Sequence, residues 1–501
     1  MLTQVPVDAY QVRLKPHGSH QVEIKVHFPV KKDKKKVNYT VDLYIFTPSQ
    51  LRLDKERYGV EGFLRDLQSY TRFSTPSITI NKLLDPSCQL SPLNRIRGIL
   101  VSGNLEDDRT RSSIHYELQA LVNIIRAEIR SSQMLYREIM HQNGTGLDLN
   151  YRIKQTLEEI ELFLTSFRKL HGDFVQNHLD SFLRSTLSWA DEAISIYVEK
   201  FTFSLHSLTS KRENLQEVYE ILKDWIGRER NYRKKTGYLQ SLVDLKSPIT
   251  GERRLYREST LKKWSQSSLY LTSATSNTPK RLMHLFASIA AALAMSIAVL
   301  AAFFADKVFA AYSLPWAFII IAAYMLKDRT KEVSRSILIK VIPKLVADII
   351  NNLIDKASGK KVGISRTLIR FPRINRIPES VLQLRDHGKN PFRAILPEEN
   401  VIHFHKETIF DCEELLKHHQ RLDSVTGIVR FKLDQWFSEM DNPITPVKFY
   451  NNGKIESMNA QRVYHSHLIL RLSRRGEDLP PSMYHSLMVV NRDGIVRIEE
   501  A

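Results

Sequence analysis

The chain has 501 residues, 73 Lys+Arg against 55 Asp+Glu, 43% hydrophobic residues and two cysteines. An apolar fraction near the globular average excludes a disordered or collagen-like chain and allows roughly two to four domains, each with its own core. Cys88 and Cys412 stand outside any CxxC spacing, which excludes a disulfide scaffold and a cysteine metal finger.

Strand-like alternation opens the chain at Tyr10–Leu14, Gln21–Phe28 and Val37–Phe46. In the second stretch Val22, Ile24, Val26 and Phe28 share one face while Gln21, Glu23, Lys25 and His27 share the other, so one face is buried. Pro16-His17-Gly18 supplies one turn and the run Lys31 to Lys36 (KKDKKK) the next, which predicts an antiparallel meander. The lysine run reads as a solvated hairpin tip, with contact to phosphate or lipid as the alternative. A short helix from Val60 to Tyr70 and an irregular stretch complete a β-rich segment, 1–104.

Long-helix periodicity then takes over, predicting a helical bundle or coiled-coil-like region over 105–279. Ile114, Leu118, Leu121, Ile125 and Ile129 form one seam, and after Asn143-Gly144-Thr145-Gly146 it resumes at Ile153, Leu157, Ile160, Leu164, Phe167, His171, Phe174 and His178. The two histidines read as buried or register-setting groups, because a metal needs further ligands. Ser210 to Glu213 is a capping box that starts a helix carrying Leu215, Val218, Leu222 and Trp225.

The stretch Leu282 to Phe304 holds 23 residues without Asp, Glu, Lys or Arg, and Val308 to Leu326 holds 19 more. Each is long enough to cross about 30 Å of hydrocarbon at about 1.5 Å per residue, which predicts a two-helix transmembrane hairpin over 280–328 with Ala305-Asp306-Lys307 as its turn. Ala290, Ala294, Ala298 and Ala302 give the first span a smooth strip for close helix approach, and Pro315 is a kink candidate in the second. Lys280 and Arg281 precede the hairpin and Lys327, Arg329, Lys331 and Arg335 follow it, so these cations face anionic lipid and both outer ends face the cytoplasm. Met1 to Tyr10 lacks the features of a signal peptide.

Segments 228–263 and 327–376 hold basic surpluses of seven and nine, most of the net +18, which places the charge beside the membrane and favours lipid over nucleic acid. Leu338, Ile342, Leu345, Ile349 and Leu353 form a helical stripe, predicting an amphipathic helix and linker over 329–389. Strands return in a β-rich C-terminal domain, 390–501, at Val401–Lys406, Gly427–Leu433, Val463–Leu472 and Ser486–Val490, with turns at Asn451-Asn452-Gly453 and Asp493-Gly494. The two β-rich ends, both cytosolic by the charge argument, are candidates for one composite sheet. The predicted class is therefore α+β and membrane-anchored.

Two strand-borne pairs carry candidate chemistry: His403 with His405, and His465 with His467, each on one strand face. Four imidazoles suit Zn²⁺, although no HExxH or recognised carboxylate spacing accompanies them. No phosphate loop, nucleophile elbow or kinase set is present.

Ser313 to Arg329 (SLPWAFIIIAAYMLKDR), with Thr330-Lys331-Glu332 and Leu261-Lys262-Lys263, resembles uncharacterised bacterial two-span membrane proteins. The resemblance implies a bacterial inner membrane and carries no site residues. Together these readings predict a membrane-tethered scaffold, sensor or assembly factor, with a protein partner or self-association through the helical region. The alternatives are a metal-dependent enzyme or sensor built on the C-terminal histidines, and an oligomeric pore.

Overall fold

The computed structural model describes residues 11–500 apart from 103–106, 142–145, 178, 211, 213–214, 239–247, 277, 311–312, 346, 387–398 and 476–479. In chain order, β1 (Gln11–Pro16), β2 (Gln21–Pro29), β3 (Lys36–Pro48), α1 (Gly59–Asp66), β4 (Leu67–Phe73), α2 (Ile80–Leu84) and α3 (Pro92–Ser102) come first. The long helices are α4 (Asp108–His141), α5 (Gly146–Arg168), α6 (Leu170–Gln176), α7 (Ser181–Thr209), α8 (Gln216–Lys235) and α9 (Pro248–Gln266). Next come β5 (Thr272–Thr275), α10 (Thr278–Val308), α11 (Leu314–Leu345), β6 (Ile349–Ile354), β7 (Lys361–Arg370) and α12 (Glu379–Asp386). The chain closes with β8 (Glu399–Asp411), α13 (Cys412–His418), β9 (Ser424–Lys432), α14 (Asp434–Ser438), β10 (Ile444–Asn451), β11 (Lys454–Gln461), β12 (Tyr464–Arg474), β13 (Ser482–Asn491) and β14 (Gly494–Glu500).

The fold is mixed α+β, and its two β-rich ends share their sheets. An eight-stranded antiparallel sheet runs β14-β13-β12-β3-β8-β7-β6-β5, so the N-terminal β3 sits between two C-terminal strands. A four-stranded sheet, β1-β2-β9-β4, packs against it. Val22, Ile24, Val26 and Phe28 point into the shared core, the face that alternation predicts, and meet Leu43, Phe404 and Leu470 from the larger sheet. Glu23 is buried on the other face because Lys25 and Arg430 neutralise it at 2.8 and 2.6 Å.

Of the N-terminal meander only the first hairpin, β1–β2 across Pro16-His17-Gly18, forms. β2 pairs with β1 and β9, whereas β3 pairs with β8 and β12, so the lysine run joins two sheets rather than capping a hairpin. Alternation fixes which face is buried and is silent about which strand supplies the neighbouring ladder. The predicted helix over 60–70 is also cut short: α1 stops at Asp66, and Tyr70, Thr71 and Phe73 extend as β4 beside β9.

In the helical body, the seams of α4 and α5 are buried to 5% exposure or less and pack with α7 and α8. His171 stands partly exposed at the seam's edge, 3.8 Å from Asp191, while His178 and residues 142–145 lie outside the described residues. Ser210 ends α7 as its C-cap instead of opening a helix. α8 begins at Gln216, and Lys211 and Glu213 of the expected capping box are not described.

α10 is the one helix among the described residues that is long and apolar enough to cross a membrane, over His284–Val308. Ala305, Asp306 and Lys307 belong to its last turn, so the expected turn shifts past Val308. α11 starts at Leu314, which reduces the second uncharged run to Leu314–Leu326, about 20 Å of helix. Pro315 lies in the first turn of α11, where its missing N–H breaks no helical bond, and it makes no mid-span kink. The two helices pack side by side. Ala290 and Ala294 of the alanine strip are buried on α10 and Ala298 and Ala302 half-buried, while its larger side chains are exposed. Trp316 Nε1 donates to Asp306 Oδ1 at 2.6 Å and ties the two helices at their closed end.

The amphipathic helix over 338–353 is not formed as one element. α11 runs to Leu345, and Ile349 and Leu353 instead belong to strand β6, with Leu353 1% exposed in the sheet core. Ile349-Ile350 and Leu353-Ile354 satisfy a helical stripe and a strand equally well, and pairing with β5 and β7 decides in favour of the strand.

Candidate functional site

β3 reads VDLYIF over 41–46, and Val41, Leu43 and Ile45 point into the core between the sheets. Asp42, Tyr44 and Phe46 therefore share the outer face. Register places His405 of β8 and Arg471 of β12 across from Asp42, and His403 and Ile469 across from Tyr44. On that face His403 Nε2 and His405 Nδ1 approach the same oxygen, Asp42 Oδ1, at 2.9 and 2.7 Å. Tyr44 stacks on the His403 ring at 4.3 Å with planes 3° apart, which fixes the imidazole's orientation. Burial alone would raise the Asp42 carboxyl, but the hydrogen bonds from His403 and His405 outweigh it and hold the group well below the usual carboxylate range.

The four predicted histidines do not converge. β3 separates the strands of the two pairs, and the pairs are also offset, since His467 lies across from Phe46 rather than Tyr44. His467 Nδ1 instead meets His485 Nε2 on β13 at 3.0 Å, and His465 is exposed. Burial, with the charge of Arg385 next, pushes His467 down to about 3 and also lowers His485, so this pair is neutral at pH 7. Asp42 is the residue that sequence reasoning missed. Its signal was a lone carboxylate inside an otherwise apolar strand, on the face opposite the core.

Neither a protein-family model, nor a curated protein, nor a solved structure matches this chain. Function is therefore argued from the chemistry of the sites.

The cluster Asp42, His403 and His405 offers three ligand atoms within 4.8 Å of one another. Two imidazoles and a carboxylate with open positions form a donor set suited to Zn²⁺ or Fe²⁺. Asp42 is nearly buried and His405 is about a third exposed, so the cluster opens to solvent on the histidine side. A second linked set, Asp355, His419 and Tyr116, joins the sheets to the helical body at 3.1 and 3.0 Å. The cavity beside it is about 30 Å³, too small for a substrate, and its role is structural.

Of the predicted lipid-facing cations, Arg281, Arg329 and Lys331 are exposed, and Lys327 lies over the Tyr324 ring at 3.8 Å. Lys280 and Arg335 are placed on α10 and α11 by their backbone. The charge surplus is less membrane-focused than expected. Arg233 and Arg254, both inside segment 228–263, are buried at 1% and 5% exposure among carboxylates of the helical body.

Proposed function

We propose that this is an integral membrane protein in which α10 and α11 enter the bilayer as a hairpin and tether the sheet and helix body to its surface. There the body acts as a scaffold, sensor or assembly factor. The observation that supports this reading is the exposure of α10, of which 11% is buried over the membrane-length window. Leu293, Leu300, Phe303 and Phe304 are each at least 60% exposed. In water every such side chain forfeits roughly 1.5–3 kcal/mol of burial, a penalty that lipid removes. The shorter uncharged run of α11 is accommodated by snorkelling of Lys327 and by local thinning of the bilayer. Arg281, Lys327, Arg329 and Lys331 gather at the open end, which favours a cytoplasmic body at a bacterial inner membrane, as the resemblance to two-span bacterial proteins also implies. The expected result is that the protein stays in the membrane pellet after an alkaline carbonate wash and is released by detergent. Release by carbonate alone would remove the proposal.

A metal-dependent role is the second reading, and the convergence of His403 and His405 on Asp42 favours it. Ligand atoms around a tetrahedral Zn²⁺ stand about 3.4 Å apart, so each imidazole nitrogen would have to back away from Asp42 Oδ1 by only about 0.5–0.7 Å. Arg471 across from Asp42 weighs against a dication. Titration of metal-free protein with Zn²⁺ or Co²⁺ should show one equivalent bound, lost in Asp42→Asn and His403→Ala and retained in His465→Ala. Uptake indifferent to Asp42→Asn would dismiss the centre.

A further inference from the structure

Where α4, α7 and α9 meet, the helical body has a groove of about 460 Å³. Arg126 and Arg130, one turn apart on α4, line one wall, and Lys262 of α9 lines another. The floor is apolar, with Ile129, Ile196 and Phe201 each 5% exposed or less. Arg126 lies 5.5 Å over the Tyr197 ring, a contact that positions the guanidinium without neutralising it. Lys25 and Arg72, on the outer face of the four-stranded sheet, come near enough to repel the Lys262 charge.

Anions do not answer these cations. Glu258, the carboxylate lining the groove, is taken by Lys200 at 2.5 Å and Arg254 at 3.2 Å. Glu23 is taken by Lys25 and Arg430. Among the described residues, Arg72, Arg126, Arg130 and Lys262 have no carboxylate partner, and Arg72 Nε is buried without a hydrogen bond. The Lys262 side chain reaches solvent, yet partial desolvation against the groove wall lowers its ammonium, and Arg126, Lys25, Arg130 and Arg72 lower it further. Arg72 is lowered likewise, first by burial and then by Arg126, with Tyr270 and Glu23 pulling the other way. Elsewhere in this body Arg168 and Arg254 are matched to carboxylates, which the groove cations are not.

We propose that this groove binds a ligand carrying phosphate groups, gripped by Arg126, Arg130 and Lys262. Arginine presents paired N–H donors that suit phosphate oxygens, a groove of this volume is in the range of small-ligand sites, and an anion there cancels the mutual repulsion. The ligand is either a free phosphate compound or the headgroup of an anionic phospholipid. The assignment goes beyond the membrane reading and does not depend on it, since a free phosphate reaches the groove in either case.

The test titrates full-length protein, in a phosphate-free non-ionic detergent, with inorganic pyrophosphate and separately with a short-chain phosphatidylglycerol below its micelle concentration. At least one should saturate at one equivalent. Lys262→Gln and Arg130→Gln together should weaken it tenfold or more, while Lys448→Gln with Lys454→Gln on the exposed β10–β11 hairpin changes it less than twofold. Both residues changed in the groove are exposed, and the Lys262→Gln single variant repeats the measurement with one charge removed. Binding of pyrophosphate identifies a free phosphate as the source, and binding of the lipid alone identifies the headgroup. Saturation by neither, or equal weakening by the control pair, overturns the site.

Discussion

Replacing Arg168 with alanine should destabilise the helical body by about 3–5 kcal/mol, the range for removing one partner from a buried ion network. Arg168 donates to Glu229 at 2.7 and 3.2 Å and to Asp191 at 3.2 Å, and its guanidinium covers the Tyr232 ring at 3.4 Å. Asp191 is 0% exposed and Glu229 6%, so alanine leaves two buried carboxylates short of a cation. Burial would raise the Asp191 carboxyl, but His171, Arg168 and the Tyr232 and Tyr238 hydroxyls outweigh it and keep the group below its ordinary value. A depressed carboxyl stabilises the fold above its unfolded pKa and loses that contribution as pH falls through the folded value. The alanine variant should therefore also lose part of the acid-induced change seen in the parent. Arg168→Lys should recover part of the loss, because an ammonium keeps the charge but not the forked geometry. Thermal unfolding of both variants at pH 7 checks this, and a loss below about 1 kcal/mol for alanine would mean that water already solvates the network.

Lys406→Met should act in the opposite direction, stabilising the protein at pH 7 by about 2–3 kcal/mol. Lys406 lies on the inner face of β8, 5% exposed, beside Phe404 and Thr408, with its ammonium donating to Ser69 Oγ at 2.6 Å. Among the described residues, no carboxylate lines the space it occupies between the sheets. Burial pushes its pKa down to about 8, from an ordinary value of 10.5. Below pH 8 both folded and unfolded chains carry the proton, and the folded state bears the whole penalty. Between pH 8 and about 10.4 the unfolded chain binds the extra proton, so stability should rise with pH in that window and level off above it. In Lys406→Met this rise should vanish. Denaturant midpoints at pH 7, 9 and 10.5 measure it, and equal pH slopes for the two proteins would show that Lys406 reaches solvent.

How far the sequence carried this fold depends on which links were local. The inward faces of β2 and of α4 follow from period alone, because Val22-Ile24-Val26-Phe28 and Ile114-Leu118-Leu121-Ile125 each match one template. Pairing did not follow, since β3 takes β12 from more than 400 residues away and nothing within the strand encodes that partner. The same limit explains the metal candidates. His403 and His405 were found as an alternating pair, but Asp42 is brought to them by the β3–β8 register, 361 residues apart in the chain from His403. At Leu282–Phe304 the apolar run was plain, and the start of α11 had a local signal that was overlooked, since Ser313 accepts from the Trp316 amide as an N-cap and Pro315 sits in the first turn. The cationic groove was invisible for the reason that hid Asp42. Its unmatched charges come from α4 and α9, and only the fold reveals that the carboxylate beside them is engaged elsewhere.

The helices α10 and α11 are inserted between β5 and β6, two strands that pair directly, with Thr275 opposite Asn351 at the point of insertion. On the proposed membrane reading, the whole body would hang from two chain crossings about 5 Å apart at one sheet margin. Splaying the helices would unzip the β5–β6 ladder one bond at a time, beginning at Thr275. A pull on both helices together instead loads the longer β6–β7 ladder in shear, where Asp348 adds a 2.7 Å bond to the Ile369 amide. Such a suspension yields to a change in helix angle and resists a change in depth, so bilayer thickness and lateral pressure would reach the body with unequal force.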